Sequence, residues 1–83
     1  MNKLRELQSK IDEVNSKILN LVVKRNQIVK KIKEHKKQKN LPVYDPKREK
    51  DIHKKMQKAA EKKNLNKKFV SKLFSLIIKQ SRK

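Results

Sequence analysis

The sequence predicts an all-α protein of three helices, one long and two short, entwined with a second copy of itself as a homodimer. Three observations carry this expectation. Glycine is absent and there are only two prolines, Pro42 and Pro46, which disfavours β-hairpins and glycine-rich phosphate loops, whose turns need positive φ. From Leu4 onward, apolar residues recur at alternating spacings of three and four: Leu4, Leu7, Ile11, Val14, Ile18, Leu21, then Ile28 and Ile32. That is the period of one helix face. The stripe meets no breaker before Pro42, and the residues that follow are too few to cover it.

The first helix is expected over about residues 3–39. At about 1.5 Å per residue it reaches roughly 50 Å or more, and its seam is buried most simply across a two-fold interface in which the stripes meet. The heptad-like spacing also suits a parallel coiled coil, but that reading leaves the rest of the chain without a role. Residues 40–44 form a short extended connector, held out of helix by Pro42. Asp45-Pro46 is a strong helix start, with aspartate as N-cap and proline at the first helical position. Ile52, Met56, Ala59 and Ala60 give the second helix, about 46–63, a modest apolar face, and Lys63-Asn64 ends it. Asn66 caps a third helix, about 67–82, with Leu65 and Val70 spaced as a hydrophobic staple. Phe69, Val70, Leu73, Phe74, Leu76, Ile77 and Ile78 make this the most apolar segment. The 83 residues are read as a single domain.

Composition excludes several classes. With no cysteine there is neither a disulfide scaffold nor a thiolate-ligated metal site. No apolar run approaches the roughly 20 residues of a membrane span, and no signal-peptide pattern opens the chain, so a cytoplasmic protein is expected. Lysine and arginine number 26 against eight acidic residues, a formal charge of +18, which suggests an anionic partner. The lysines are spread along the whole chain opposite the apolar stripes. The aromatic residues are few (Tyr44, Phe69 and Phe74), and the two phenylalanines fall within an apolar helical pattern. No stacking platform for single strands results, and specific nucleic-acid binding is not favoured.

Arg25 stands where the stripe between Leu21 and Ile28 should be apolar. A guanidinium in a buried seam is costly unless an anion meets it, so Arg25 reports either a partner carboxylate or an anionic ligand. Only four of the basic residues are arginine: Arg5, Arg25, Arg48 and Arg82. Where lysine serves almost everywhere for charge, each arginine is a candidate for a site that needs a planar, bidentate fork. Lys36 follows Arg25 by eleven residues, about three turns, and projects from nearly the same face. Arg48 and Glu49 lie in the first turn of the second helix, where free N–H groups favour an anion. Ser81 lies near the end of the third. Taken singly, these are a solvated lysine, two ordinary first-turn charges and a fraying serine.

Their order and spacing say more. Ile11-Asp12-x-x-Asn15-x-x-Ile18-x-x-Leu21-x-x-x-Arg25, then Lys36, then Pro42-Val43-Tyr44-Asp45-Pro46-x-Arg48-Glu49, then Leu73-Phe74-x-x-Ile77-Ile78-x-x-Ser81 closely resembles the all-helical (AroQ-type) chorismate mutases. The resemblance covers nearly the whole chain without gaps, and the segment 42–49 is its most specific part. It implies an intertwined homodimer that converts the dianion chorismate to prephenate by a Claisen rearrangement, in the shikimate pathway to aromatic amino acids. No metal, cofactor, nucleophile or proton transfer is implied. Carried over by position, Arg25 binds a substrate carboxylate, and Lys36 approaches the ether oxygen and the enolpyruvyl carboxylate. Arg48 supports this cationic cluster, Glu49 holds the ring hydroxyl together with backbone groups near Asp45, and Ser81 contacts the ring carboxylate.

The chain departs from the family pattern at three positions. The family arginine that reaches into the partner's active site is Gln8 here; Arg5, one turn earlier on roughly the same face, is the expected substitute. The family Gln or Glu one turn beyond the serine falls two residues past Lys83. The family glycine near the end of the first helix is Lys33. The first two departures remove substrate or transition-state contacts, so a slow mutase is expected. Two other readings compete: an isochorismate pyruvate lyase using a similar pocket on a near-identical dianion, and a catalytically weak helical dimer whose lysine coat binds polyanions.

Overall fold

The computed structural model describes residues 2–82. Among them every regular element is an α-helix: α1 (Lys3–Gln38), α2 (Pro46–Lys62) and α3 (Lys67–Arg82). The expected all-α class with one long and two short helices holds. No helix among the described residues is long and apolar enough to cross a membrane. The chain divides into two compact units, Met1–Ile32 and Lys33–Lys83.

In the first unit the apolar stripe of α1 stays open. The exposures run from 46% at Leu7 to 63% at Leu4 and Leu21, with Ile11, Val14, Ile18 and Ile28 between. Arg25 is half-buried and is engaged in an interaction of its own. No residue of α1 is fully buried. A helix of this length with so wide an uncovered apolar face has its tertiary stabilisation still to come from another surface.

The second unit comprises the last turns of α1, the connector, α2 and α3. The two short helices pack against each other. Glu49 in the first turn of α2 pairs with Arg82 at the end of α3, so they run antiparallel, an αα-hairpin closed by residues 63–66. Its core is small: Ala60, Val70 and Ile78 are buried, with Ile52, Met56, Ala59, Phe74 and Ile77 half-buried around them. Phe69, Leu73 and Leu76 of α3 remain exposed. Fully burying an aliphatic side chain is worth about 1.5–3 kcal/mol, so three such sites, one of them only an alanine, are a thin core for a free-standing hairpin.

The helix ends follow from local chemistry. The Asp45 side chain accepts from the Arg48 backbone N–H at 3.0 Å, with Pro46 behind it at the first helical position. Asn66 Oδ1 accepts from the Phe69 N–H at 3.0 Å, the same cap on α3. At the other ends, Asn40 and Asn64 both take φ of 57°, the left-handed conformation usually left to glycine. Each is followed by a leucine whose N–H bonds back into the last turn: Leu41 to the Lys36 carbonyl at 2.8 Å, and Leu65 to the Ala60 carbonyl at 2.9 Å. These are Schellman stops. A chain without glycine relies on asparagine, the next most tolerant residue, in both. Across the hairpin loop Lys67 pairs with Glu61, whose carboxyl is held below its usual range by that ammonium.

Candidate active site

The candidate residues divide between the two units. Arg5, Gln8 and Arg25 lie on the Met1–Ile32 part of α1, with Arg5 and Gln8 exposed, three residues apart on one helix surface, and Arg25 half-buried. Lys36, Asp45, Arg48, Glu49 and Ser81 belong to the second unit, where the end of α1, the start of α2 and the end of α3 come together.

Lys36 is the most informative of these. Lysines are among the residues most consistently left in water, and in this chain the described lysines are exposed except Lys33 and Lys36. The Lys36 side chain is only 22% exposed, and its Nζ stands 3.9 Å from the Asp45 carboxylate, too far for a good hydrogen bond. Asp45 is already engaged by the Arg48 N–H. Lys36 is therefore a half-buried cation with, among the described residues, one loose counter-charge, beside the N-terminus of α2, an arrangement suited to a bound anion.

Lys33, one turn earlier, donates from Nζ to the Ser81 backbone carbonyl. The last carbonyls of a helix have no partner within it and carry partial negative charge, so a lysine there stabilises the end of α3. The departure from glycine at position 33 has acquired a structural use. Ser81 is half-buried, and its hydroxyl donates back to the Ile77 carbonyl at 2.7 Å. A hydroxyl bound in this way keeps lone pairs for a second donor and can rotate toward an acceptor.

Arg48 reaches its neighbours in two directions. Its backbone N–H satisfies Asp45, while its guanidinium turns along α2 to Asp51 at 3.0 Å, where Lys55 also sits at 3.4 Å. Lys55 first, then Arg48, hold the Asp51 carboxyl below its ordinary range. These groups are solvent-exposed, so the cluster adds little to stability. Asp45 and Arg48 border a surface groove of about 470 Å³ that continues along Lys47, Lys50 and Lys54.

Glu49 is bound through both oxygens. Arg82 Nε donates to Oε2 at 3.0 Å and Nη2 donates to Oε1, the fork geometry of a bidentate guanidinium–carboxylate pair. The Arg82 guanidinium also lies over the Tyr44 ring, 4.8 Å from its centre, within cation–π range. The neighbouring carboxylate moves Arg82 above its ordinary pKa. The pair borders a cleft of about 220 Å³ between α2 and α3 that includes His53, Ser75 and Ile78. In the sequence Arg82 stands out only as one of four arginines, and no spacing joins it to Glu49. Its scarcity was the available signal.

Residues 7–83 match the sequence model of the family described as chorismate mutase type II. A chorismate mutase of Methanocaldococcus jannaschii is 35% identical over 82 residues, which is 99% of this chain and 83% of that protein. A bifunctional chorismate mutase/prephenate dehydratase of Buchnera aphidicola (subsp. Schizaphis graminum) is 36% identical over 80 residues, 96% of this chain but only 21% of that protein. The chain therefore spans about a fifth of the bifunctional relative. Among solved structures, a chorismate mutase (form I) from Thermus thermophilus superposes with a TM-score of 0.87 at 31% identity, covering 96% of this chain and 99% of that one.

Proposed function

Because the chain belongs to the chorismate mutase type II family, whose activity it shares, we propose that it rearranges chorismate to prephenate as a homodimer, with the helix-end cluster around Lys36 as the centre of catalysis. The observation that carries this assignment is the half-buried Lys36, held beside the α2 N-terminus with, among the described residues, one 3.9 Å contact to the Asp45 carboxylate. A Claisen rearrangement is unimolecular. The protein accelerates it by selecting the chair-like conformer and by placing fixed charge where negative charge develops, on the breaking ether oxygen.

In this reading Lys36 serves the ether oxygen and the enolpyruvyl carboxylate, and Arg25 clamps a carboxylate with its planar fork. Arg48 reinforces the positive field, Glu49 accepts the ring hydroxyl beside the backbone at Asp45, and Ser81 meets the ring carboxylate. Arg5 takes the place of the arginine that Gln8 replaces, reaching toward the partner copy. The whole chain acts as one domain of a cytoplasmic enzyme in aromatic amino acid biosynthesis. The named relatives are mutases, and neither the pyruvate lyase nor the polyanion-binding reading gains support from them.

Incubation with chorismate and identification of the product tests the assignment. Loss of chorismate absorbance with formation of prephenate is expected. Salicylate plus pyruvate would make the chain a lyase, and unchanged chorismate in the presence of a folded protein would leave a binding role only.

Arg25→Lys separates the two meanings of that residue. A lysine keeps the charge and loses the fork, so a carboxylate clamp predicts a KM raised by about tenfold or more, the worth of one charge-assisted contact, with the melting temperature little changed. A guanidinium that only balances a protein carboxylate predicts the reverse, a lower melting temperature and unaltered kinetics of the folded fraction.

A further inference from the structure

The Glu49–Arg82–Tyr44 arrangement links three separate pieces of the second unit: the first turn of α2, the last turn of α3 and the connector. We propose that Arg82 is a positioning residue for the mutase reaction, fixing the Glu49 carboxylate so that it receives the ring hydroxyl of the substrate in one orientation. The proposal rests on the reading of Glu49 given above and adds to it the means by which that carboxylate is aimed.

A glutamate side chain has three rotatable bonds and several accessible rotamers, and ordering it at the moment of binding costs conformational entropy. A single donor would leave the carboxylate free to turn about the contact. The fork of Arg82, with Nε on Oε2 and Nη2 on Oε1, sets both the position and the plane of the group. Each carboxylate oxygen can accept more than one hydrogen bond, so the pairing leaves capacity for a hydroxyl. The guanidinium is itself restrained from below by the Tyr44 ring at 4.8 Å. Surface ion pairs usually contribute little because two long side chains must be ordered to make them. Here the Glu49 side chain is only 21% exposed although Arg82 is 48% exposed, and the carboxylate is ordered before substrate arrives, the condition under which a binding group is most effective. Lysine cannot replace the function, since it offers a point charge without a plane. In a chain that uses lysine for 22 of its 26 basic residues, an arginine at position 82 is the exception this geometry requires.

A double-mutant cycle on the full chain decides the matter, with kcat, KM and melting temperature measured for Arg82→Gln, Glu49→Gln and the pair. Loss of about tenfold in kcat/KM is expected for Arg82→Gln, the scale of a small misplacement of a reacting geometry. The same substitution should be silent once Glu49 is glutamine. Arg82→Lys, which keeps the favourable charge at the end of α3, should fold normally and lose activity in the same direction by about threefold, since only the fork is gone. Equal losses in both backgrounds, or a lowered melting temperature with unchanged kinetics, would make Arg82 a structural clamp between α2 and α3 and overturn the proposal. A silent Glu49→Gln would instead show that the hydroxyl role of Glu49 is wrong, and the positioning role would fall with it. The two failures are therefore read from different variants.

Discussion

Replacing Lys36 with alanine is expected to leave the fold in place and remove most of the turnover. The stability argument comes from its contacts. The Lys36 ammonium makes one ion pair, at 3.9 Å, with a carboxylate that keeps its capping bond to the Arg48 N–H. Removing a partner so distant leaves no buried group unsatisfied, and the Schellman stop at the end of α1 uses the Lys36 carbonyl, which alanine also provides. The kinetic argument comes from burial. In water a cation and a developing oxyanion interact weakly, whereas in a site that excludes water the same charge is worth several-fold more and needs no reorganisation at the moment of reaction. A loss of about 3 kcal/mol of transition-state stabilisation, or more than a hundredfold in kcat/KM, is the magnitude expected from deleting one preorganised donor. Because the charge matters most in the transition state, the loss should fall mainly on kcat. Steady-state kinetics with thermal melting checks both halves. An unchanged kcat/KM would return Lys36 to the solvated lysine coat.

Much of the architecture was legible because it is written in local chemistry. Asp45-Pro46 and Asn66 announce helix starts through side chains that bond only three residues away, and an uninterrupted 3–4 stripe announces a helix whatever surrounds it. The two Schellman stops were only half legible. Lys63-Asn64 reads as an end, but the left-handed φ at Asn40 and Asn64 depends on no glycine being present to take it, a property of the whole composition. The site was legible to the degree that its residues sit at fixed positions along the chain, and illegible where side chains choose among partners. Glu49 and Arg82 are 33 residues apart, and their meeting depends on the register of α2 against α3, which single-helix patterns leave open. Lys33 stands where the family has a glycine, and it reaches the Ser81 carbonyl 48 residues away. The Arg48 guanidinium lies on Asp51, a contact that the spacing of three residues along one helix allows but does not dictate.

A single aspartate in the α1 seam should abolish both association and activity. Ile18 is 52% exposed in the single chain, in line with Leu7, Ile11, Val14 and Leu21. If the chain acted alone, Ile18→Asp would replace an exposed residue on a helix surface and change stability by no more than about 0.5 kcal/mol. In a two-fold dimer the same substitution places two carboxylates in a desolvated seam, one from each copy, each costing several kcal/mol without a partner. The thin core of the second unit has little reserve against such a loss. Among the described residues the buried apolar side chains are Ala60, Val70 and Ile78, while seventeen large apolar residues stay exposed. Folding and association are then expected to be one event, with the melting temperature of the parent chain rising with protein concentration. Sedimentation of the parent should return about twice the 10.0 kDa chain mass, and Ile18→Asp should give a largely unfolded or monomeric chain without turnover. Asn20→Asp adds the same charge about 200° around α1, away from the stripe, and should remain associated and active. A cooperative, active monomer in either the parent or Ile18→Asp would remove the dimer from the mechanism, and with it the role given to Arg5 in the partner's site.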